Sequence, residues 1–327
     1  MTGLGVGLWA AITIAVAGPA TSPEYLPLQV AKAEGYFAQE KLDVILTVER
    51  NEGEAAQALA RGRADIAATS LDAAYRLGHV AGAPPPLFFG LTAAAPVAIV
   101  VSPKHKDTIR SPAELRGQPV GLPGAGTPEH TMLDAVLIRA GVKIHQVPIR
   151  SFSTRALEGA VARGEVAAGV MADPLITRMV SEQTGSILVD LRERSDAARW
   201  LGAETVHAAL FVRAGRSLDE GELTALARAL LRAVARVTEA TPESLLAVLP
   251  APVTGQPEDF RARLDGARQS YLPRGRVTDD MLKASINQAR ERGAFPSAVK
   301  LPWFSWSSLL LGAPLQRAIE ASLPPAR

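Results

Sequence analysis

Residues 12–25 read ITIAVAGPATSPEY, and residues 120–130 read VGLPGAGTPEH. In each, a short apolar run stops at a turn of small residues and arrives at Ser/Thr-Pro-Glu. The first run is β-branched and ends at Gly18-Pro19, as a buried strand does. Ser22-Pro23-Glu24 and Thr127-Pro128-Glu129 then place a hydroxyl at an N-cap, proline at the first helical position and an acid in the first turn. That order suits a helix start, because the hydroxyl accepts from a free amide, proline needs no partner there and the carboxylate faces the positive end of the dipole. Both turns lead into helix-like segments that end near a glycine, Gly35 and Gly141. A second pair follows in the same order: ALARGRADIAATS at 58–70 and AVARGEVAAGVMA at 160–172. Each runs from a helix end through an Arg-Gly turn into an apolar strand. Two echoes at similar spacing predict two α/β lobes built on one plan.

Between these landmarks strands and helices alternate. Strands are expected at Leu42–Val48, Ala64–Ala68, Leu87–Leu91, Val97–Val101, Val120–Leu122, Val166–Met171 and Ile187–Val189. Helices are expected at Gly53–Ala60, Leu71–Leu77, Glu129–Arg139 and Arg155–Arg163. Such alternation predicts mainly parallel sheets covered by helices. From Asp219 onward only helical spacing of Ala, Leu and Arg is found. The chain is therefore expected to leave the second sheet around Leu201–Phe211 and to finish as helices packed on the earlier lobe, giving a bilobal protein with a cleft.

The chemistry is expected at the strand-to-helix turns, since open parallel sheets bind ligands at the carboxyl ends of their strands. Gly124-Ala125-Gly126 lets backbone approach a ligand closely, and free amides beyond it favour a polar or anionic group. Pro27 would remove a helical hydrogen bond if the first helix began at Pro23. A start at Pro27 instead leaves Thr21, Ser22 and Tyr25 in a loop facing the cleft. Thr69 or Ser70 can cap the next helix or serve a ligand. Asp173, held extended before Pro174, either stabilises its turn or points into the cleft. Glu24, Glu129 and Asp173 oppose a simple anion unless they face away, whereas the helix ends favour one.

Composition narrows the function classes. The chain has 327 residues, 47% hydrophobic and 21% charged, which excludes a disordered chain and a polytopic membrane protein. Lys+Arg number 35 against 33 Asp+Glu, so a net charge of +2 gives little drive toward polyphosphates, and nucleic acid is not expected as a partner. Cysteine is absent, which excludes disulfides, thiolate metal sites, cysteine nucleophiles and a lipid-anchored amino-terminal cysteine. No Walker loop, dinucleotide turn, nucleophile elbow or HExxH is present. The five histidines, His79, His105, His130, His145 and His207, lack metal-ligand spacing, and no cofactor or metal is expected. Arg228, Arg232 and Arg236 form a four-residue row that reads as a solvated face. Trp303, Phe304 and Trp306 read as an anchor for the tail or a partner-facing patch. At the amino terminus, Met1–Ala11 reads as a leader remnant without a basic region and Ile12–Ala17 as the first strand.

Several segments also carry a family likeness. Leu28-Gln29-Val30-Ala31-Lys32-Ala33-Glu34-Gly35-Tyr36-Phe37 with Leu42-Asp43-Val44 resembles the opening of solute-binding proteins of nitrate, sulfonate and taurine ABC importers. Thiamine-pyrimidine-synthase-like proteins share the pattern. Arg61-Gly62-Arg63-Ala64-Asp65-Ile66-Ala67, then Ile109-Arg110-Ser111-Pro112-Ala113-Glu114-Leu115-Arg116-Gly117, follow in the family's order. Gly124-Ala125-Gly126-Thr127, Ala172-Asp173-Pro174 and Tyr271-Leu272-Pro273-Arg274-Gly275-Arg276-Val277-Thr278 complete it, over residues 12–295. No single motif is specific; their order is.

The resemblance implies a type II periplasmic-binding-protein fold, with two α/β lobes joined by two crossover strands near Pro96–Val101 and Thr205–Phe211. One lobe would comprise residues 12–97 and 205–327, the other residues 98–204. It implies ligand contacts from Thr21, Ser22, Tyr25, Thr69, Ser70, Gly126, Thr127, His130 and Asp173. The function implied is a secreted, periplasmic, monomeric receptor that carries a small polar solute (a sulfonate, nitrate-like anion, pyrimidine or aromatic acid) to an ABC permease and its ATPase, without being an enzyme. The alternative is a cleft enzyme of the same fold, a chorismate-type dehydratase or a relative of the thiamine-pyrimidine synthases. Those synthases resemble the chain closely but depend on a cysteine-rich motif that a cysteine-free chain cannot contain.

Overall fold

The computed structural model describes residues 11–80, 84–213, 218–292 and 309–322. In chain order the strands are β1 (Ile12–Ala17), β2 (Val44–Glu49), β3 (Ile66–Ser70), β4 (Leu87–Gly90), β5 (Val97–Val101), β6 (Val120–Leu122), β7 (Ile149–Ser151), β8 (Ala168–Ala172), β9 (Ser186–Asp190) and β10 (Ala208–Val212). They form two five-stranded sheets, β2-β1-β3-β10-β4 and β7-β6-β8-β5-β9. In each sheet one strand runs against its neighbours, β10 in the first and β5 in the second; the remaining pairs are parallel. The two orders are the same plan, β1 corresponding to β6 and β3 to β8. The first sequence echo follows β1 and β6, and the second ends in β3 and β8, so the echoes mark equivalent places in two lobes.

The helices of the first half are α1 (Leu26–Ala33), α2 (Tyr36–Gln39), α3 (Glu52–Ala60) and α4 (Leu71–Val80). The second sheet carries α5 (Pro128–Arg139), α6 (Thr154–Arg163), α7 (Leu175–Ser181) and α8 (Arg194–Leu201). The rest are α9 (Glu220–Glu239), α10 (Pro242–Leu246), α11 (Ala251–Thr254), α12 (Pro257–Ala267), α13 (Asp279–Glu291) and α14 (Gly312–Ala321). Among the described residues, no helix is long and apolar enough to cross a membrane.

Each sheet has its own core. Ile14, Val16, Leu28, Leu226 and Leu230 pack together on the first, and Leu122, Leu133, Val136, Val170 and Val189 on the second. Full burial of such side chains stabilises by about 1.5–3 kcal/mol each. Helix α9 shows how the helical tail attaches. A capping box starts it, with Asp219 Oδ1 accepting from the Glu222 amide at 2.6 Å and Glu222 Oε2 accepting from the Asp219 amide at 2.9 Å. Its stripe of Leu223, Leu226, Leu230, Ala233 and Val237 is buried at helical spacing. Beside that stripe, Arg228 and Arg232 pair with Glu40 at 2.6 and 2.9 Å, and Arg236 pairs with Glu34 at 2.8 Å. The arginine row is therefore a seam that clamps α9 to α1 and α2, in place of the free solvated face expected.

The chain leaves the first sheet after β4 and returns to it through β10. The two connections run side by side: the His207 amide donates to Thr92 O at 2.9 Å, and Thr205 Oγ1 donates to Ala93 O at 2.8 Å. Two paired backbone segments between separately packed sheets have the form of a hinge.

Several elements differ from expectation. Strand β3 runs to Ser70 and not to Ala68, which brings Thr69 and Ser70 into the strand end. Strand β7 and helices α7 and α8 were not anticipated, because β7 is only three residues long and mostly exposed. Residues 1–10 and the aromatic cluster at Trp303, Phe304 and Trp306 lie outside the described residues.

Candidate functional site

The carboxyl ends of β1, β3, β6 and β8 meet across one cleft of about 850 Å³. The first lobe supplies the turn after β1. There Pro23–Tyr25 forms a single 3₁₀ turn and the α-helix starts at Leu26, with Pro27 in its first turn. Both proline positions are satisfied this way, since neither must donate an intrahelical hydrogen bond. Ser22 makes no side-chain cap. Tyr271 Oη donates to the Pro23 carbonyl and ties this turn to the helical tail.

The second lobe supplies Gly126-Thr127-Pro128-Glu129. Gly126 has φ of +78°, a left-handed conformation that glycine adopts without a Cβ penalty. Thr127 caps α5, accepting from the His130 amide at 3.4 Å and donating to the Gly124 carbonyl at 3.0 Å.

Of the nine residues expected in the site, Thr21, Ser22, Tyr25, Ser70, Gly126, Thr127 and Asp173 line the cleft. Thr69 and His130 do not. Thr69 is fully buried with Oγ1 donating to the Glu52 carbonyl at 2.8 Å, and His130 contributes its amide to the α5 cap. Asp173 reaches the cleft wall already committed. Its Oδ2 meets Arg192 at 2.7 Å, and its Oδ1 accepts from the Thr177 amide at 3.0 Å and from Thr177 Oγ1 at 2.8 Å.

The most connected group in the cleft is one that was not singled out. Glu52 is the first residue of α3, after Asn51, whose side chain caps the helix by accepting from the Glu54 amide at 3.0 Å. Ser70 Oγ donates to Glu52 Oε2 at 2.7 Å, and Tyr25 Oη donates to Oε1 at 3.4 Å. His207 Nε2 approaches the same Oε1 at 3.4 Å, an ion pair without hydrogen-bond alignment. Burial opposes the charge on Glu52, but His207, Ser70 and Tyr25 outweigh it and hold the carboxyl below its usual range. Burial likewise opposes a charged His207, and Glu52 outweighs it, raising the imidazole above its ordinary value. Each member of the pair thus favours the charged form of the other.

Two further acids face this pair. Glu24 is 9% exposed, and burial, reinforced by Glu52 and Glu129, pushes it up to about 7. Glu129, from the other lobe, is raised by burial and by the charge on Glu52. The rule that selected the other turns applies equally to Asn51-Glu52-Gly53-Glu54, a capped and acidic helix start at the end of β2. His207 gave no such signal, because its place beside Glu52 is created by β10 returning from the second lobe. Among the described residues, no group of three or more His, Asp or Glu side chains is arranged to hold a metal ion.

Comparisons with known proteins agree with this architecture. A solved protein from Bordetella bronchiseptica superposes with a TM-score of 0.73 at 22% identity, covering 96% of this chain and 98% of that one. The periplasmic aliphatic sulphonate binding protein SsuA from Escherichia coli gives 0.68 at 17% identity, over 88% of each chain. The periplasmic nitrate-binding protein NrtA from Synechocystis PCC 6803 gives 0.65 at 13% identity, over 96% of this chain and 89% of that one. At these identities the likeness establishes the bilobal periplasmic-binding-protein fold. Curated protein sequences yielded no match. The family profile described as "NMT1/THI5 like" matches residues 22–244, from the turn after β1 through α9 and into α10. That span takes in every strand but β1 and well over half of the sequence, and it makes the chain a member of the NMT1/THI5-like family.

Proposed function

We propose that this chain is the periplasmic solute receptor of an ABC importer. It takes a small polar solute into the interlobe cleft, closes about the paired crossovers and presents the closed form to a permease driven by an ATPase. Residues 12–97 with 205–327 act as one lobe and residues 98–204 as the other. Thr21, Ser22, Tyr25, Ser70, Gly126 and Thr127 contribute to the solute site, joined by Glu24, Glu52, Glu129 and His207.

The observation that carries this reading is the cleft itself. It draws polar groups from both sheets, and the lobes on either side are joined by two adjacent backbone segments that can bend together. A solute that touches both walls stabilises the shut state by its differential contacts. The fold's named neighbours, a periplasmic aliphatic sulphonate binding protein and a periplasmic nitrate-binding protein, support both the location and the role.

Thermal-shift screening of the purified chain across small polar solutes, followed by calorimetry, tests the reading. The expected result is saturable one-to-one binding with the solute recovered unchanged by NMR. Conversion of a solute by substoichiometric protein would refute it.

A further inference from the structure

Resting on the receptor reading, we propose that the solute carries a positively charged nitrogen head, an amine or amidinium, held by Glu24 and Glu129. An anion is not the fitting ligand.

The charges on the cleft wall decide this once those already paired are removed. Asp72 is bound to Arg292 at 2.6 Å and Asp173 to Arg192 at 2.7 Å, so neither needs a ligand. Glu52 and His207 offset one another. Arg76 is exposed, and Arg263, which donates to the Thr254 carbonyl at 2.6 Å, is partly exposed and keeps its charge. Among the described residues, the carboxyls of the cleft wall left without an ion-pair partner are those of Glu24 and Glu129.

Glu24 is the independent pointer to a ligand. It is more than nine-tenths buried and lines the cleft, yet among the described residues its carboxylate accepts no hydrogen bond from any residue but itself. A buried carboxylate with only its own amide as donor is costly, and a ligand N–H is the group the site lacks. Ionised carboxylates accept only, so two of them lining one cleft select a donor-rich cation.

The features that would attract an anion are already used. At the start of α5, Thr127 Oγ1 takes the His130 amide and the Glu129 carboxylate takes its own amide. An anion there would also meet Glu129 at close range.

Proton linkage separates the two ligand classes. Glu24 faces His207, Glu52 and Glu129, with Tyr25 and Tyr271 behind it. Burial and the neighbouring acids keep part of its population protonated in the empty cleft at neutral pH. A bound cation favours the ionised form and expels that proton; a bound anion does the reverse.

Calorimetry at neutral pH in two buffers of different ionisation enthalpy tests the inference. The probes are benzamidine and putrescine against benzenesulfonate and nitrate. The expected result is cation binding at least about tenfold tighter than anion binding, with net proton release. Glu24→Gln should weaken benzamidine about tenfold or more and remove the proton release, and Glu129→Gln should weaken it as well. Tighter binding of benzenesulfonate or nitrate, or proton uptake on binding, overturns the inference and leaves the receptor reading standing. Failure of all four probes to bind counts against both.

Discussion

His207 Nε2 lies 3.4 Å from Glu52 Oε1, which joins the crossover returning from the second lobe to the first turn of α3. The contact places the His207–Glu52 pair at the root of the hinge, between the cleft and the paired crossovers. Its consequence is a pH dependence that the empty protein should display.

Glu24 carries a folded value near 7, above its unfolded range, and Glu129 and His207 are shifted in the same direction. A raised folded value means the folded state holds its proton more tightly. The stabilisation is fully present below the unfolded value and is lost as pH rises through the folded one. Glu52 has the opposite sign, and its contribution is lost as pH falls. The empty protein should therefore lose thermal stability between about pH 5 and pH 8, with Glu24 accounting for up to about 3 kcal/mol. Differential scanning fluorimetry of Glu24→Gln should show a flatter profile, and a melting temperature above that of the parent chain at the alkaline end. Parallel profiles would mean that Glu24 is not the buried titrating group.

Arg192 bridges Asp190 and Asp173 at 2.6 and 2.7 Å, with all three side chains at most 15% exposed. Removing the cation leaves two nearly buried carboxylates without their partner, a change that costs about 3–5 kcal/mol. Arg192→Met should therefore lower the denaturation midpoint markedly at neutral pH. Arg192→Lys, which keeps the cation, should recover part of the loss. Equal losses in the two variants would assign the effect to packing.

Thr127 is both a cap and a cleft residue. Replacement by valine removes the acceptor for the His130 amide, at about 1 kcal/mol. Thr127→Ser keeps the hydroxyl and should restore both stability and solute affinity. Calorimetry of the two variants with a bound solute checks this, and equal affinities would take the hydroxyl out of the site.

The fold was readable because it is written twice. The two Ser/Thr-Pro-Glu turns and the two Arg-Gly turns fall at equivalent strand ends, and β1, β5 and β6 occupy their expected residues. The strands that decide the topology within each sheet, β10 and β5, carry no local mark of being antiparallel. Their direction follows from the crossovers, a long-range property. The site was legible where a turn residue faces the cleft directly, as Thr127 and Tyr25 do. It was not legible at His207, which reaches Glu52 only after the chain has visited the other lobe. Nor could local sequence reveal that Asp173 is neutralised by Arg192, since the guanidinium arrives from the turn after β9.

Gly266 of α12 and Asp173 at the end of β8 stand on opposite lobes and nearly touch. A Cβ at Gly266 would lie 2.0 Å from Asp173 Oδ2 and 3.1 Å from the Arg192 side chain. Asp173 has no easy retreat, because Arg192 and Thr177 hold both of its oxygens. An alanine at this position therefore has to push the lobes apart. Its local effect on α12 is the reverse, since alanine favours a helix interior by about 1 kcal/mol over glycine. Gly266→Ala should consequently keep or slightly raise the melting temperature of the empty protein while weakening solute binding by about tenfold, because closure is obstructed. Small-angle scattering should show the solute-dependent contraction diminished. A variant that melts earlier and still contracts fully on binding would show that the two lobes do not need this close approach to shut.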